Sequence, residues 1–311
     1  MKHLKDYILL YLKGLAMGGA DVIPGVSGGT IAFITGIYET LLKSIKSFDL
    51  TALNHLRRFE FKALWLHVNG AFLLTLLAGI FTSILSLAKL IVYLLDQYPI
   101  QVWAFFFGLI IISALQVART VYKWRVKEIF SLLIGIAVAY FITESTPSQS
   151  PEGLWFIFIA GAVAICAMIL PGISGSFILL LMSKYEYILN ALDTVDIPVI
   201  IVFGLGCIAG LLSFARVISF LFDKFKTVTI ALLAGFMIGS LNKIWPWKRV
   251  LEFRTNSAGE QKPFLTENIL PTDYLSITGE DPHILGALLF FLLGILIVIG
   301  LELAAHYLKR D

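Results

Sequence analysis

One short pattern occurs twice in this chain, each time inside strongly apolar sequence: Pro24-Gly25-Val26-Ser27-Gly28-Gly29 and Pro171-Gly172-Ile173-Ser174-Gly175-Ser176. Helix breakers are costly at membrane depth, because a broken helix leaves backbone polar groups with no water to bind. They persist where the freed groups are reused. A proline, two or three glycines and a serine at such a break predict a discontinuous helix whose loose N–H groups face a partner.

The surroundings are apolar along most of the 311 residues, of which 58% are hydrophobic and 14% charged. Soluble domains carry about 25% charged residues. Apolar runs over 68–95, 102–118, 129–143, 154–170, 197–222, 228–245 and 284–305 approach or exceed the length that crosses a hydrocarbon core. The chain therefore reads as a polytopic α-helical membrane protein. Lys2 and Lys5 before Tyr7–Leu12 imitate a signal peptide, but Lys13 interrupts the apolar stretch and the first motif follows at once, which argues against cleavage. Cys166 and Cys207 lie in apolar runs without metal-site spacing and read as buried thiols. A net charge of +3 gives no reason to expect a nucleic-acid partner.

The repetition extends beyond the motif. At an offset of 147, Gly14 meets Gly161, Ala20 meets Ala167, Tyr38 meets Tyr185 and Glu39 meets Glu186. At an offset of 127, Asp96 meets Asp223, Gly108 meets Gly235, Ser113 meets Ser240, and Lys89 falls opposite Arg216. Such self-similarity marks a duplication. The predicted halves are 1–150 and 151–311. The first holds a re-entrant hairpin at about 10–45 and spans at about 68–95, 101–118 and 127–144. The second holds a hairpin at about 153–190, spans at about 197–222, 227–245 and 284–308, and an extracytoplasmic loop at 246–283.

The hairpin arms, such as 14–23 and 30–42, are near a dozen residues, and at about 1.5 Å per residue each reaches only halfway across. Each hairpin thus returns to its starting side, and three full spans follow. An odd number of crossings turns the second half upside down. The predicted fold is all-α, with two inverted repeats. Loop charges agree: with both termini cytoplasmic, Lys2, Lys5, Lys13, Lys43, Lys46, Arg57, Arg58, Lys62, Arg119, Lys123, Arg125, Lys127, Lys224, Lys226, Lys309 and Arg310 fall inside. The short outer connections hold Lys184 beside six acids.

In this topology the two tips meet near the midplane. Gly25, Ser27, Gly28, Gly29 and Thr30 on one, and Gly172, Ser174, Gly175 and Ser176 on the other, supply hydroxyls and close backbone approach. Helix starts of this kind bind anions, phosphate in particular; tight packing through small residues is the competing explanation. Asp21, whose repeat partner is Met168, is a proton- or cation-site candidate or a helix cap. Glu39 and Glu186 follow tyrosines near the hairpin exits and read as interfacial anchors or gates. Lys89, Arg216 and, more weakly, Arg119 either snorkel or receive an anionic headgroup.

Gly25-Val26-Ser27-Gly28-Gly29 also fits the G-x-S-x-G of serine hydrolases, but that nucleophile needs a base. His3, His55, His67, His283 and His306 all fall outside the middle of the membrane. No P-loop, H-E-x-x-H or cysteine-rich metal motif is present, so an enzyme, a cofactor and a metal are not expected.

The run from Gly14 to Thr30, with its echo from Ile169 to Gly175, resembles a bacterial family long catalogued as uncharacterised and now regarded as polyprenyl-phosphate transporters. The resemblance implies a protein of the bacterial cytoplasmic membrane that returns undecaprenyl phosphate from the outer to the cytoplasmic leaflet, for envelope synthesis. It also supplies the substrate, a lipid phosphate. A carrier or channel for a small anion would use the same tips. A homo-oligomer is compatible with either reading.

Overall fold

The structure is a computed structural model that describes residues 4–23, 26–146, 150–151, 153–255 and 261–307. Pro24, Gly25 and residue 308 of the last predicted span lie outside the described residues. The first half runs α1 (Leu4–Asp21), α2 (Gly28–Ile34), α3 (Tyr38–Lys46), α4 (Leu50–Arg57), α5 (Phe61–His67), α6 (Gly70–Gln97), α7 (Pro99–Arg119) and α8 (Val126–Glu144). The second continues with α9 (Leu154–Ile169), α10 (Gly175–Leu181), α11 (Tyr185–Asp193), α12 (Ile197–Gly239), a 3-10 turn (Ser240–Ile244), an antiparallel hairpin β1 (Lys248–Thr255) and β2 (Gln261–Asn268), α13 (Pro271–Thr278) and α14 (Ile284–Tyr307).

Among the described residues, four helical stretches are long and apolar enough to cross a membrane: 70–87, 99–119, 126–144 and 197–244. The stretches 154–169 and 284–300, the latter part of α14, are also apolar helix. Large apolar side chains such as Leu85, Phe130, Phe141 and Leu285 point outward, as they must when the solvent is lipid. The protein is an α-helical multi-pass membrane protein.

Several elements depart from the sequence reading. The arm expected at 30–42 is divided at Gly36, which takes φ +72, so α2 and α3 are separate helices. Residues 47–66, read from sequence as a loop joining the first hairpin to the span at 68–95, contain α4 and α5. The stretch 197–245 does divide between the spans expected at 197–222 and 227–245: helical geometry breaks at Phe225, φ −134 and ψ 44, inside α12. Tyr98, 127 positions earlier, has φ −135 and ψ 50 and separates α6 from α7. The same non-helical corner thus recurs 127 positions apart, between α6 and α7 and inside α12.

Backbones approach most closely at paired glycines, which lack the Cβ that would hold the helices apart. Gly14 and Gly79 bring α1 onto α6, and Gly161 and Gly206 bring α9 onto the start of α12. Gly108 and Gly294 join α7 to α14, while Gly135 and Gly235 join α8 to the end of α12. α8 therefore packs on the end of α12, and α14 on α7. The core, with Ile23, Val26, Ile110, Leu233 and Met237 sealed from solvent, forms where these pairs converge.

Candidate functional site

Residues 26–30, at the start of α2, and 168–172, at the end of α9, meet inside this core. α2 folds back along α1 and α10 along α9, so each corner is the turn of a helical hairpin. Ser27 is extended, φ −126 and ψ 132, and starts α2; its Oγ accepts from Gly29 N at 3.0 Å. The same hydroxyl donates across the interface, its proton shared between Met168 O at 3.0 Å and Leu170 O at 3.1 Å. Gly172 N returns a bond to Thr30 Oγ1 at 3.0 Å. Ser27 and Thr30 are fully buried. A Cβ on Gly29 would lie 2.5 Å from Ile169 O, so only glycine permits this approach.

The corners differ in charge. Asp21 Oδ1 accepts from Gly28 N at 2.7 Å, which places a carboxylate on the first amides of α2. With Gly29 N bound by Ser27 Oγ and Thr30 N by Ser27 O at 3.0 Å, that helix start is closed by its own chain. Met168 stands in the corresponding place of the second corner. There Ser174 caps nothing; its Oγ lies 2.8 Å from Ser176 Oγ, and Gly172 holds φ +89. The second corner thus keeps the more open set of donors.

Two lysines stand beside that second corner, and the sequence reading passed over both. Lys243 Nζ is 4.3 Å from the ring centre of Phe177, the residue after Ser176, and Lys248 Nζ is 4.7 Å from that of Trp103. Lys248 Nζ also donates to Lys243 O. Burial, with the like charge of Lys243 adding to it, pulls the Lys248 ammonium down to about 7. The spacing Lys243-Ile244-Trp245-Pro246-Trp247-Lys248 was the available signal: two cations flanking aromatics at a span end.

The other charged candidates stand apart from the corners. Glu39 pairs with Lys226 at 2.6 Å, both side chains being substantially exposed. Arg216, exposed on α12, donates to Leu212 O at 3.1 Å and Phe48 O at 3.0 Å. Lys89 and Arg119 are exposed on α6 and α7, and Glu186 is half-buried at the start of α11. Neither corner serine has a general base within hydrogen-bond distance among the described residues; Ser27 sees carbonyls and an amide, Ser174 sees Ser176.

The site is therefore a buried, hydrogen-bonded contact between two helical hairpins inside a membrane protein, with Asp21 on one side and Lys243 on the other. Discontinuous helices meeting inside the bundle are the building plan of membrane carriers. Residues 17–262 match the model of a family described as undecaprenyl phosphate translocase-like, and the chain belongs to that family. A polyprenyl-phosphate transporter of Vibrio cholerae is 47% identical over 297 residues, covering 96% of each chain. Another from Staphylococcus aureus is 34% identical over 253 residues, 76% of this chain and 85% of that one. No solved structure matches the chain.

Proposed function

We propose that this protein carries a polyprenyl phosphate from the outer to the cytoplasmic leaflet of the bacterial cytoplasmic membrane, with both termini cytoplasmic. The names of its relatives support the substrate. The observation that carries the mechanism is the contact between the corners, Ser27 on Met168 and Leu170, Thr30 on Gly172. The halves, 1–150 and 151–311, are read as inverted repeats whose re-entrant hairpins enter from opposite sides. The glycine pairs that recur at matching positions support that reading, as do the equal backbone angles at Tyr98 and Phe225.

The lipid tail needs no help in the bilayer. The phosphate does, because a charge at the bilayer centre costs about 3 kcal/mol even on lenient scales. Amides and hydroxyls of Gly25, Ser27, Gly28, Gly29 and Thr30, and of Gly172, Ser174, Gly175 and Ser176, replace its water. The closed contact is a resting state; passage requires the corners to part. A phosphate arriving from outside meets the second corner first, where no carboxylate competes. At the first corner it must displace Asp21 from Gly28 N, so Asp21 sets the order of steps and is the natural coupling group. Lys89, Arg119 and Arg216 act at headgroup level, and Glu39 and Glu186 at the hairpin exits.

The test is a leaflet-resolved assay of undecaprenyl phosphate in vesicles containing the purified protein. Faster inward movement than in protein-free vesicles is expected, slowed at least tenfold in Ser174→Ala/Ser176→Ala. Equal rates with and without protein would reject the function. A wild-type rate in the double variant would remove the second corner from the path.

A further inference from the structure

We propose that Lys243 and Lys248, seated over Phe177 and Trp103, form a receptor for a phosphate group beside the second corner, and hold the incoming headgroup before the corners part. This rests on the transport reading above and deepens it by naming the residues that first take the anion.

The argument begins with the chain. Pro246 prevents the helix from continuing, and the 3-10 turn Ser240–Ile244 passes into extended backbone at Trp245, φ −56 and ψ 130. The two indoles are then tied down: Trp245 Nε1 donates to Ile269 O at 2.9 Å and Trp247 Nε1 to Pro282 O at 2.8 Å. With the tryptophans fixed outward of the turn, the flanking lysines are brought together, Lys248 bonding the Lys243 carbonyl. The β-hairpin and α13 lie on this same segment, so the outer loop is what positions the pair.

Two half-buried ammonium groups side by side repel one another and lose hydration. Among the described residues, no carboxylate lies within ion-pair distance of either. Glu144, the acid acting on Lys243 through space, has its carboxylate engaged by Asn242 Nδ2. The aromatic faces of Phe177 and Trp103 offset only part of that loss. The charge left unmet is what a phosphate monoester, with up to two negative charges and three acceptor oxygens, would satisfy.

Comparison of the halves sharpens the assignment. The residues 127 positions before Lys243 and Lys248 are Gln116 and Val121, so the first half has no such pair. It has instead Asp21 on its own corner, where the second half has Met168. One corner already holds a protein carboxyl group; the other is supplied with two lysines. Ser240, in the same 3-10 turn as Lys243, lies against Gly172 of the corner itself, which joins the lysine pair directly to the broken helix.

The experiment is amine footprinting of the full chain in lipid nanodiscs, with farnesyl phosphate, farnesol or inorganic phosphate added, and reactivity read at Lys243 and Lys248 by mass spectrometry. A bound phosphate keeps the ammonium groups protonated and covered, so farnesyl phosphate is expected to lower their labelling at least fivefold while Lys62 is unchanged. Protection by inorganic phosphate as well assigns the site to the phosphate group itself; protection by farnesyl phosphate alone assigns it to a lipid headgroup. Equal protection by farnesol would overturn the proposal. In binding, Lys243→Gln/Lys248→Gln should lose at least tenfold in farnesyl phosphate affinity and Lys243→Arg/Lys248→Arg should retain most of it. Wild-type affinity in the Gln pair, with wild-type transport intact, sinks this inference alone. Failure of the wild type to bind or move the lipid phosphate sinks the transport reading as well.

Discussion

Replacing Ser27 by alanine removes one oxygen that does two jobs. Its Oγ caps α2 through Gly29 N, and loss of such a cap costs about 1 kcal/mol. The same Oγ ties the first hairpin to Met168 O and Leu170 O of the second, and interhelical hydrogen bonds in membrane proteins contribute about 0.6–1.7 kcal/mol. Ser27 is sealed from solvent, so water cannot take over either role. The sum is about 2 kcal/mol. Ser174 sits at the equivalent place, yet its hydroxyl meets only Ser176 Oγ and caps nothing. Ser174→Ala should therefore cost under about 1 kcal/mol, the range of one neutral hydrogen bond. Reversible unfolding in mixed micelles, followed by tryptophan fluorescence, measures both. Equal losses at the two serines, or a larger loss at Ser174, would refute the asymmetry on which the mechanism is built.

Two further outcomes follow from the packing and the inner surface. Gly14→Val and Gly161→Val each force a side chain into the carbonyl of a neighbouring helix, Leu76 O and Phe203 O, and should lose a similar amount, roughly 1–3 kcal/mol or more; Gly204→Ala, facing open space, should cost little by the same unfolding assay. Asp49 caps α4 through Thr51 N at 2.9 Å and Ala52 N at 3.0 Å, with His67 Nε2 at 3.1 Å, and these bonds hold its carboxyl below the ordinary value of 3.8. Its pKa is lower folded than unfolded, so the cap is fully present above 3.8 and is lost as pH falls through the folded value. Protection of the Thr51 and Ala52 amides, with the intrinsic pH dependence of exchange divided out, should fall relative to Asp49→Asn in that acid window; an unchanged ratio would contradict the assignment.

Much of the plan was legible in one dimension. Apolar runs of spanning length required membrane helices, because lipid cannot solvate bare backbone, and the duplicated Pro-Gly-x-Ser-Gly pattern located both corners. Interruptions too short or too polar to stand out as helices were misread as loops or continuous arms, as at 47–66 and Gly36. Among the charged candidates, Asp21 stood out because an acid in an apolar run is costly. Lys243 and Lys248 did not, because a lysine at a span end is ordinary until its neighbours are known. Nothing in the spacing of Arg216 reveals that it also donates to Phe48 O.

Hydropathy and internal repetition are properties of neighbours along the chain, and they determined that this protein is a membrane bundle with two matching breaks. Tertiary structure decided what those breaks touch. The bonds of Ser27 to Met168 and Thr30 to Gly172 join residues 141 and 142 positions apart. Only packing decided that α8 lies on the end of α12 and α14 on α7, that Asp21 closes one corner, and that two lysines gather beside the other. Such contacts depend on how closely helices approach, and that distance is set by the glycines of both partners at once.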